Sequence, residues 1–206
     1  MRIAVLGATG GTGRLLVAQA LERGHQVDAI VRDPGRTAFP GHPGLTIHRG
    51  DVHDEASIAA AIASGAVVVS GLGLASKKDA GTLTAGARAV VAANPARIVW
   101  LGAIGTGRSA GAVGRLTALL LRAGLGAEYR DKVTADNAVL DAGGTVLHSG
   151  PLSGKADIPG TRAVPLAAAR RRFFPHGTPR ATIARLMLDV AEAPAHPGGL
   201  IVPARK

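Results

Sequence analysis

The residues Gly7-Ala8-Thr9-Gly10-Gly11-Thr12-Gly13 carry the strongest chemical signal in the chain. Their spacing is G-x-x-G-x-x-G, set between an apolar run at 3–6 and a helical pattern at 13–23. A strand that turns into a helix through glycines is a device for gripping a diphosphate. Gly7 permits the tight turn, Gly10 lets the backbone approach the anion, and Gly13 lets the helix pack on the sheet. The first turn of that helix presents unpaired N–H groups to the anion. Thr9 and Thr12 add hydroxyl donors, and Gly11 belongs to the same loop. Arg32 follows Gly13 by 32 − 13 = 19 positions, at the end of a second apolar run. That is the position that reads an adenosine ribose, and a guanidinium there grips a 2′-phosphate through two parallel hydrogen bonds. Asp33, one position later, suits a free 2′-hydroxyl instead. Arg32, Arg36 and Arg14 outweigh that single carboxylate, so the expectation is NADP(H) over NAD(H).

Proton-transfer candidates lie further along. Lys132 follows Tyr129, the only tyrosine, by three positions, and Glu128 precedes them. Offsets of three and four share a helical face. His148 stands at the end of an apolar run, and a histidine titrates near neutrality. Lys132 and His148 are therefore the candidate proton donors. A second pattern, Gly107-Arg108-Ser109-Ala110-Gly111, reads G-x-S-x-G, with Asp131 or Asp136 and then His148 in hydrolase order. A nucleophile elbow needs a turn directly from strand to helix, and residues 102–106 intervene. His48, Asp51, His53 and Asp54 show no metal-ligand spacing, and with no cysteine there is no thiolate site. The run Arg170-Arg171-Arg172-Phe173-Phe174 reads as a solvated basic loop.

Something must hold these groups in place. Short apolar runs at 3–6, 26–31, 45–48, 66–70, 97–101, 145–148 and 200–202 read as strands. Helical patterns at 13–23, 55–63, 82–93, 116–122, 127–142 and 179–193 alternate with them. Residues 149–178, with four prolines, read as irregular. The alternation implies an α/β, Rossmann-type doubly wound parallel sheet: a single domain, 1–206, with a small irregular lobe on the substrate side. Ligands of such sheets sit at the carboxyl ends of the strands. The segments 102–130 and 149–178 would then build the substrate side.

Composition narrows the function classes. The chain is 47% hydrophobic, which excludes a disordered protein, and 2% aromatic, which argues against a base-stacking nucleic-acid platform. Its charge of 24 − 14 = +10 favours polyanions in general, nucleotides included. The first residues do not read as a signal peptide and no run is long enough to cross a bilayer, so the expectation is a cytoplasmic protein with a small-molecule substrate.

Residues 1–36 resemble the atypical short-chain dehydrogenases/reductases, in particular the NAD(P)H-binding proteins grouped with biliverdin-IXβ reductase/flavin reductase and the NmrA-like regulators. The likeness continues through Gly50-Asp51-Val52, Ser70-Gly71-Leu72-Gly73, Gly86-Ala87-Arg88 and residues 97–101. It implies that Asp51 and Val52 flank the adenine. It implies also that Gly71, Leu72, Gly73, Gly102, Ala103, Gly150 and Pro151 wall the nicotinamide ribose side. Relatives often carry a serine after the fifth strand, where this chain has Gly102-Ala103, and the wider superfamily uses Y-x-x-x-K, where this chain has Glu128 and Lys132. The resulting expectation is an NADPH-dependent reductase of a flavin, quinone or related planar carbonyl acceptor. The alternatives are a non-catalytic NADP-binding sensor and an enzyme that turns the fold to a redox-neutral step.

Overall fold

The computed structural model describes residues 1–206 apart from 38, 75–78, 170–176, 194–197 and 206. The basic run at 170–174 is thereby outside the described residues. Strand β1 (Arg2–Leu6) passes through the glycine loop into helix α1 (Gly11–Glu22), which begins two residues earlier than its apolar pattern implied. There follow β2 (Gln26–Val31), β3 (Leu45–Arg49), α2 (Glu55–Ala61), β4 (Val67–Ser70) and α3 (Thr82–Ala92). The second half contains β5 (Arg97–Ala103), α4 (Arg115–Leu125), α5 (Ala127–Asp141), β6 (Thr145–Ser149), β7 (Leu152–Ser153), β8 (Thr161–Pro165), β9 (Thr178–Pro179), α6 (Arg180–Glu192) and β10 (Gly199–Arg205).

Eight strands form one sheet in the order β3-β2-β1-β4-β5-β6-β10-β8. All neighbours are parallel except β8, which runs antiparallel to β10. The expected doubly wound sheet is the one observed, and the strand order reverses between β1 and β4.

The two-residue period of a strand explains how one sheet supports two cores. Ile3 and Val5 point to one face, where Leu16 and Val17 of α1 and Ile183 and Met187 of α6 cover them. Ala4 and Leu6 point to the other, under Ile58 of α2, Leu83 and Val90 of α3, and Val139 of α5. Burying each of these large aliphatic side chains contributes roughly 1.5–3 kcal/mol. On β2, Asp28 is buried but paired, accepting from Arg2 Nε and Nη2 at 2.6 and 2.9 Å, with His48 Nε2 of β3 at 2.9 Å from Oδ1. Burial opposes its charge, but these partners outweigh the penalty and hold the carboxyl below the usual carboxylate range.

One expectation fails. Segment 149–178 is not wholly irregular: it supplies β8 to the main sheet and pairs β7 with β9. Prolines 159 and 165 hid β8, and an edge strand tolerates proline because one side of its backbone needs no partner. The segment is also pinned to α6, where Thr182 Oγ1 accepts from Ile158 N–H at 2.9 Å. Among the described residues, no helix is long and apolar enough to cross a membrane.

Candidate functional site

A cavity of about 580 Å³ lies over the switch point, at the carboxyl ends of β1, β2, β4, β5 and β6. Its floor is the glycine loop. Gly7 turns the chain at φ +72°, and a Cβ there would stand 2.8 Å from Leu72 Cα. Gly13 is tighter still: a Cβ would stand 2.1 Å from the Gly7 carbonyl oxygen. Gly13 is thus the packing residue that sets α1 against β1, and it does not line the cavity. Gly7, Thr9, Gly10, Gly11 and Thr12 do. The amino end of α1 has no side-chain cap and no acid in its first turn. Its unpaired N–H groups and positive dipole end are available to an anion.

The walls come from the other strand ends. Arg32, exposed after β2, lines the cavity and has no ion-pair partner among the described residues. Arg36 does not reach the lining. The Asp33 carboxylate closes its own turn, accepting from Gly35 N–H at 3.0 Å. Asp51 and Val52 enter from the turn after β3, where Asp51 accepts from His53 N–H at 3.0 Å and donates its own N–H to Ser57 Oγ at 2.9 Å. Nearby, His48 pairs with Asp28, and Asp54 caps α2. Gly71, Leu72 and Gly73 enter after β4, Gly102 and Ala103 at the end of β5, and Gly150 after β6. Pro151 does not line the cavity; its carbonyl accepts from Thr178 N–H at 2.9 Å.

The far wall is one face of α5. Glu128, Lys132 and Asp136, four residues apart, all line the cavity. Lys132 Nζ lies 3.0 Å from Glu128 Oε1. His148 is buried and does not line the cavity; it stands behind Asp136, with Nε2 at 2.8 Å from Asp136 Oδ2 and Nδ1 at 2.7 Å from Ser109 Oγ. The hydrolase order read from the sequence therefore assembles in space, but Ser109 is fully buried. Its Oγ accepts from Gly105 N–H at 2.9 Å and stands 3.0 Å from the Thr106 carbonyl, so no substrate reaches it. Asp131 has a different task. It caps α3, accepting from Leu83 N–H at 3.2 Å, Thr84 N–H at 2.8 Å and the Thr84 hydroxyl at 2.6 Å. Burial works against its charge, yet these donors hold the carboxyl below its usual range. Tyr129 points elsewhere, its phenol oxygen accepting from Gly107 N–H at 3.4 Å.

Four further lining residues bear on the chemistry and were given no cavity role from the sequence. Glu128 and Asp136 share the four-residue spacing of Lys132, a signal that was present. Ser149 follows His148 at a strand's carboxyl end; its Oγ is buried with no hydrogen-bond partner among the described residues. Such an orphaned hydroxyl is costly unless a ligand pairs with it. Arg180, the first residue of α6, carries no sequence signal. It lies over the glycine loop, where a Cβ on Gly11 would meet its Cδ and Nε at 3.1 Å each. It too has no ion-pair partner among the described residues.

A family model described as NAD(P)H-binding matches residues 7–194. The chain belongs to that family. This NAD(P)H-binding protein is similar in structure to ChuY, an anaerobilin reductase of Escherichia coli O157:H7, with 22% identity, a TM-score of 0.80, and coverage of 100% of this chain and 97% of that one. It is similar also to a short-chain dehydrogenase/reductase of Veillonella parvula DSM 2008 in complex with NADP, with 16% identity, a TM-score of 0.79, and coverage of 99% and 94%. At these identities the likeness establishes the fold. An isoflavone reductase homolog of Zea mays is 38% identical over 80 residues, 35% of this chain and 26% of the maize protein. The matched part spans only about a quarter of that curated relative. The resemblance to NAD(P)H-binding proteins, read from residues 1–36 and the segments that follow, is borne out.

Proposed function

We propose that this protein is an NADPH-dependent reductase of a small planar acceptor, a flavin, a quinone or a related conjugated carbonyl compound. The observation that carries the reading is the continuity of one cavity. It runs from Arg32, over the bare amino end of α1, to the Glu128–Lys132–Asp136 face of α5. The donor set fits a phosphorylated dinucleotide. The α1 N–H groups take the diphosphate, and Arg180 closes over it from the opposite side. Arg32 takes the 2′-phosphate, with Arg36 reinforcing the local positive field, while Asp33 is occupied by its own turn. Asp51 and Val52 border the adenine. Gly71, Leu72, Gly73, Gly102, Ala103 and Gly150 let the backbone come close to the nicotinamide ribose, with Pro151 supporting the last of them. The unpaired Ser149 hydroxyl gains a partner there. The bound cofactor supplies the hydride, so the protein's task is to hold it against the acceptor and manage one proton. Two similar proteins named as an anaerobilin reductase and an isoflavone reductase homolog add support, because bilins and isoflavones are conjugated carbonyl compounds.

A second reading, an NADP-binding sensor without turnover, draws on the Lys132–Glu128 pair. No tyrosine meets that lysine in the cavity, and its charge is already matched at 3.0 Å. Titration calorimetry with NADPH and NADH, followed in the same sample by NADPH oxidation with FMN and a simple quinone, separates the two. The reductase binds NADPH and oxidises it with at least one acceptor. Binding without oxidation across acceptors sinks the reductase in favour of the sensor or a redox-neutral enzyme. Binding of neither nucleotide sinks all three.

A further inference from the structure

Behind the α5 wall lies a buried chain of three groups, Ser109, His148 and Asp136, that reaches the cavity only at Asp136. We propose that the Asp136–His148 pair is the proton store for the reduced acceptor. Asp136 delivers the proton in the cavity, and Ser109 fixes which imidazole nitrogen exchanges it. This inference rests on the reductase reading.

The hydrogen-bond inventory around Ser109 carries the argument. A serine hydroxyl has one hydrogen to donate and two lone pairs. Here the hydrogen is within 3.0 Å reach of the Thr106 carbonyl, and one lone pair takes the Gly105 N–H at 2.9 Å. The remaining lone pair faces His148 Nδ1 at 2.7 Å, and it is satisfied only if Nδ1 carries a hydrogen. The proton that comes and goes is then the one on Nε2, 2.8 Å from Asp136 Oδ2. The exchangeable proton thus sits on the side of the ring that faces the cavity wall. Gly102, opposite His148 in the β5–β6 register, makes room for this: a Cβ there would stand 2.6 Å from Nε2 and 3.0 Å from Asp136 Oδ1.

The surroundings isolate the pair. From α5 come Asp136 itself and, one turn earlier, Lys132 with its partner Glu128. The turn after β5 brings Ser109, and β5 brings Gly102. The neighbouring strand β10 pairs Leu200 and Ile201 with Val146 and Leu147, which brings no ionisable group. His148 and Asp136 are 1% and 5% exposed, so bulk water does not exchange this proton directly.

The acceptor gains two electrons and one hydrogen as hydride from the reduced nicotinamide. The anion so formed takes the proton of the Asp136 carboxyl. That proton comes from His148 Nε2, which leaves a neutral imidazole still protonated at Nδ1 and an ionised Asp136. Water entering the open cavity restores the proton through Asp136. His148 and Ser109 act through Asp136 and are positioning residues.

Two measurements test this. The first is imidazole ¹⁵N NMR of the histidine-labelled protein without acceptor, with the His148 resonance assigned by its loss in His148→Gln. The expected signature is a ring protonated at Nδ1 with Nε2 facing Asp136, and Ser109→Ala should loosen that preference. A ring locked as Nε2–H with bare Nδ1 overturns the proposal whatever the enzyme does. The second is steady-state reduction of a conjugated ketone, which needs a proton, beside FMN, whose reduced form is stable as an anion. His148→Gln and Asp136→Asn should lower kcat for the ketone about 100-fold with little change in KM. The ketone loss should exceed the FMN loss at least tenfold. Equal losses for the two acceptors mean a structural pair and refute the store. No oxidation of NADPH by the native protein with any acceptor refutes the reductase itself, a result distinct from either.

Discussion

Replacing Arg32 with alanine isolates one contact of the proposed cofactor site. Arg32 is exposed at the rim of the cavity and has no ion-pair partner among the described residues, so its removal strands no buried charge. The nearest candidate rival, Asp33, keeps its bond to Gly35 N–H and its turn. The loss is therefore that of a charge-assisted contact to the 2′-phosphate, about 2 kcal/mol for a hydrogen bond to a charged group. That corresponds to roughly 30-fold in Kd for NADPH. NADH lacks the phosphate, and its Kd should change by less than about twofold. The contact is solvent-exposed, and the Debye length is about 8 Å at physiological ionic strength, so the discrimination should shrink as salt rises. Titration calorimetry of native and Arg32→Ala protein with both nucleotides, at two salt concentrations, reads all of this. Equal weakening of NADPH and NADH would refute the 2′-phosphate assignment, and no weakening of either would place the adenosine elsewhere.

Other perturbations separate the remaining parts. Arg180→Gln should weaken NADPH and NADH alike, by about tenfold, because the diphosphate is common to both; a loss confined to NADPH would move Arg180 to the phosphorylated ribose. Gly13→Ala introduces a Cβ 2.1 Å from the Gly7 carbonyl oxygen, so it should cost about 3 kcal/mol in urea unfolding and abolish binding of both nucleotides. Asp131→Asn should cost about 2 kcal/mol at neutral pH through the α3 cap. Because the folded carboxyl is depressed below its unfolded value, that stabilisation is complete above the ordinary carboxylate range and is lost as pH falls through the folded value. The native-minus-variant difference in urea midpoint should accordingly close on acidification, and a difference that grew instead would contradict the cap.

The elements legible in the sequence were those set by local period and local backbone geometry. The glycine loop is contiguous, so its strand, turn and helix appear together in residues 1–23, and the alternation of strands and helices follows from side-chain periodicity alone. Glu128 and Lys132 belonged to a visible four-residue stripe, although Asp136 on the same face was not read as part of it. Other features depended on distance along the chain. Arg180 meets Gly11 because α6 closes against α1, with Gln19 Nε2 donating to the Ala181 carbonyl at 3.1 Å. Strand β8 exists because β10 offers an edge, which outweighed the prolines that spoke against it. His148 looked like a cavity acid from its place at a strand end, but the packing of α5 over β5 and β6 put Asp136 in front of it and Ser109 behind. Sequence by itself determined where an anion-binding turn must form, because that depends on a few neighbouring backbone angles. Which distant charges face that turn, and which histidine nitrogen faces the cavity wall, depends on how helices pack across a sheet, and only the tertiary structure decided it.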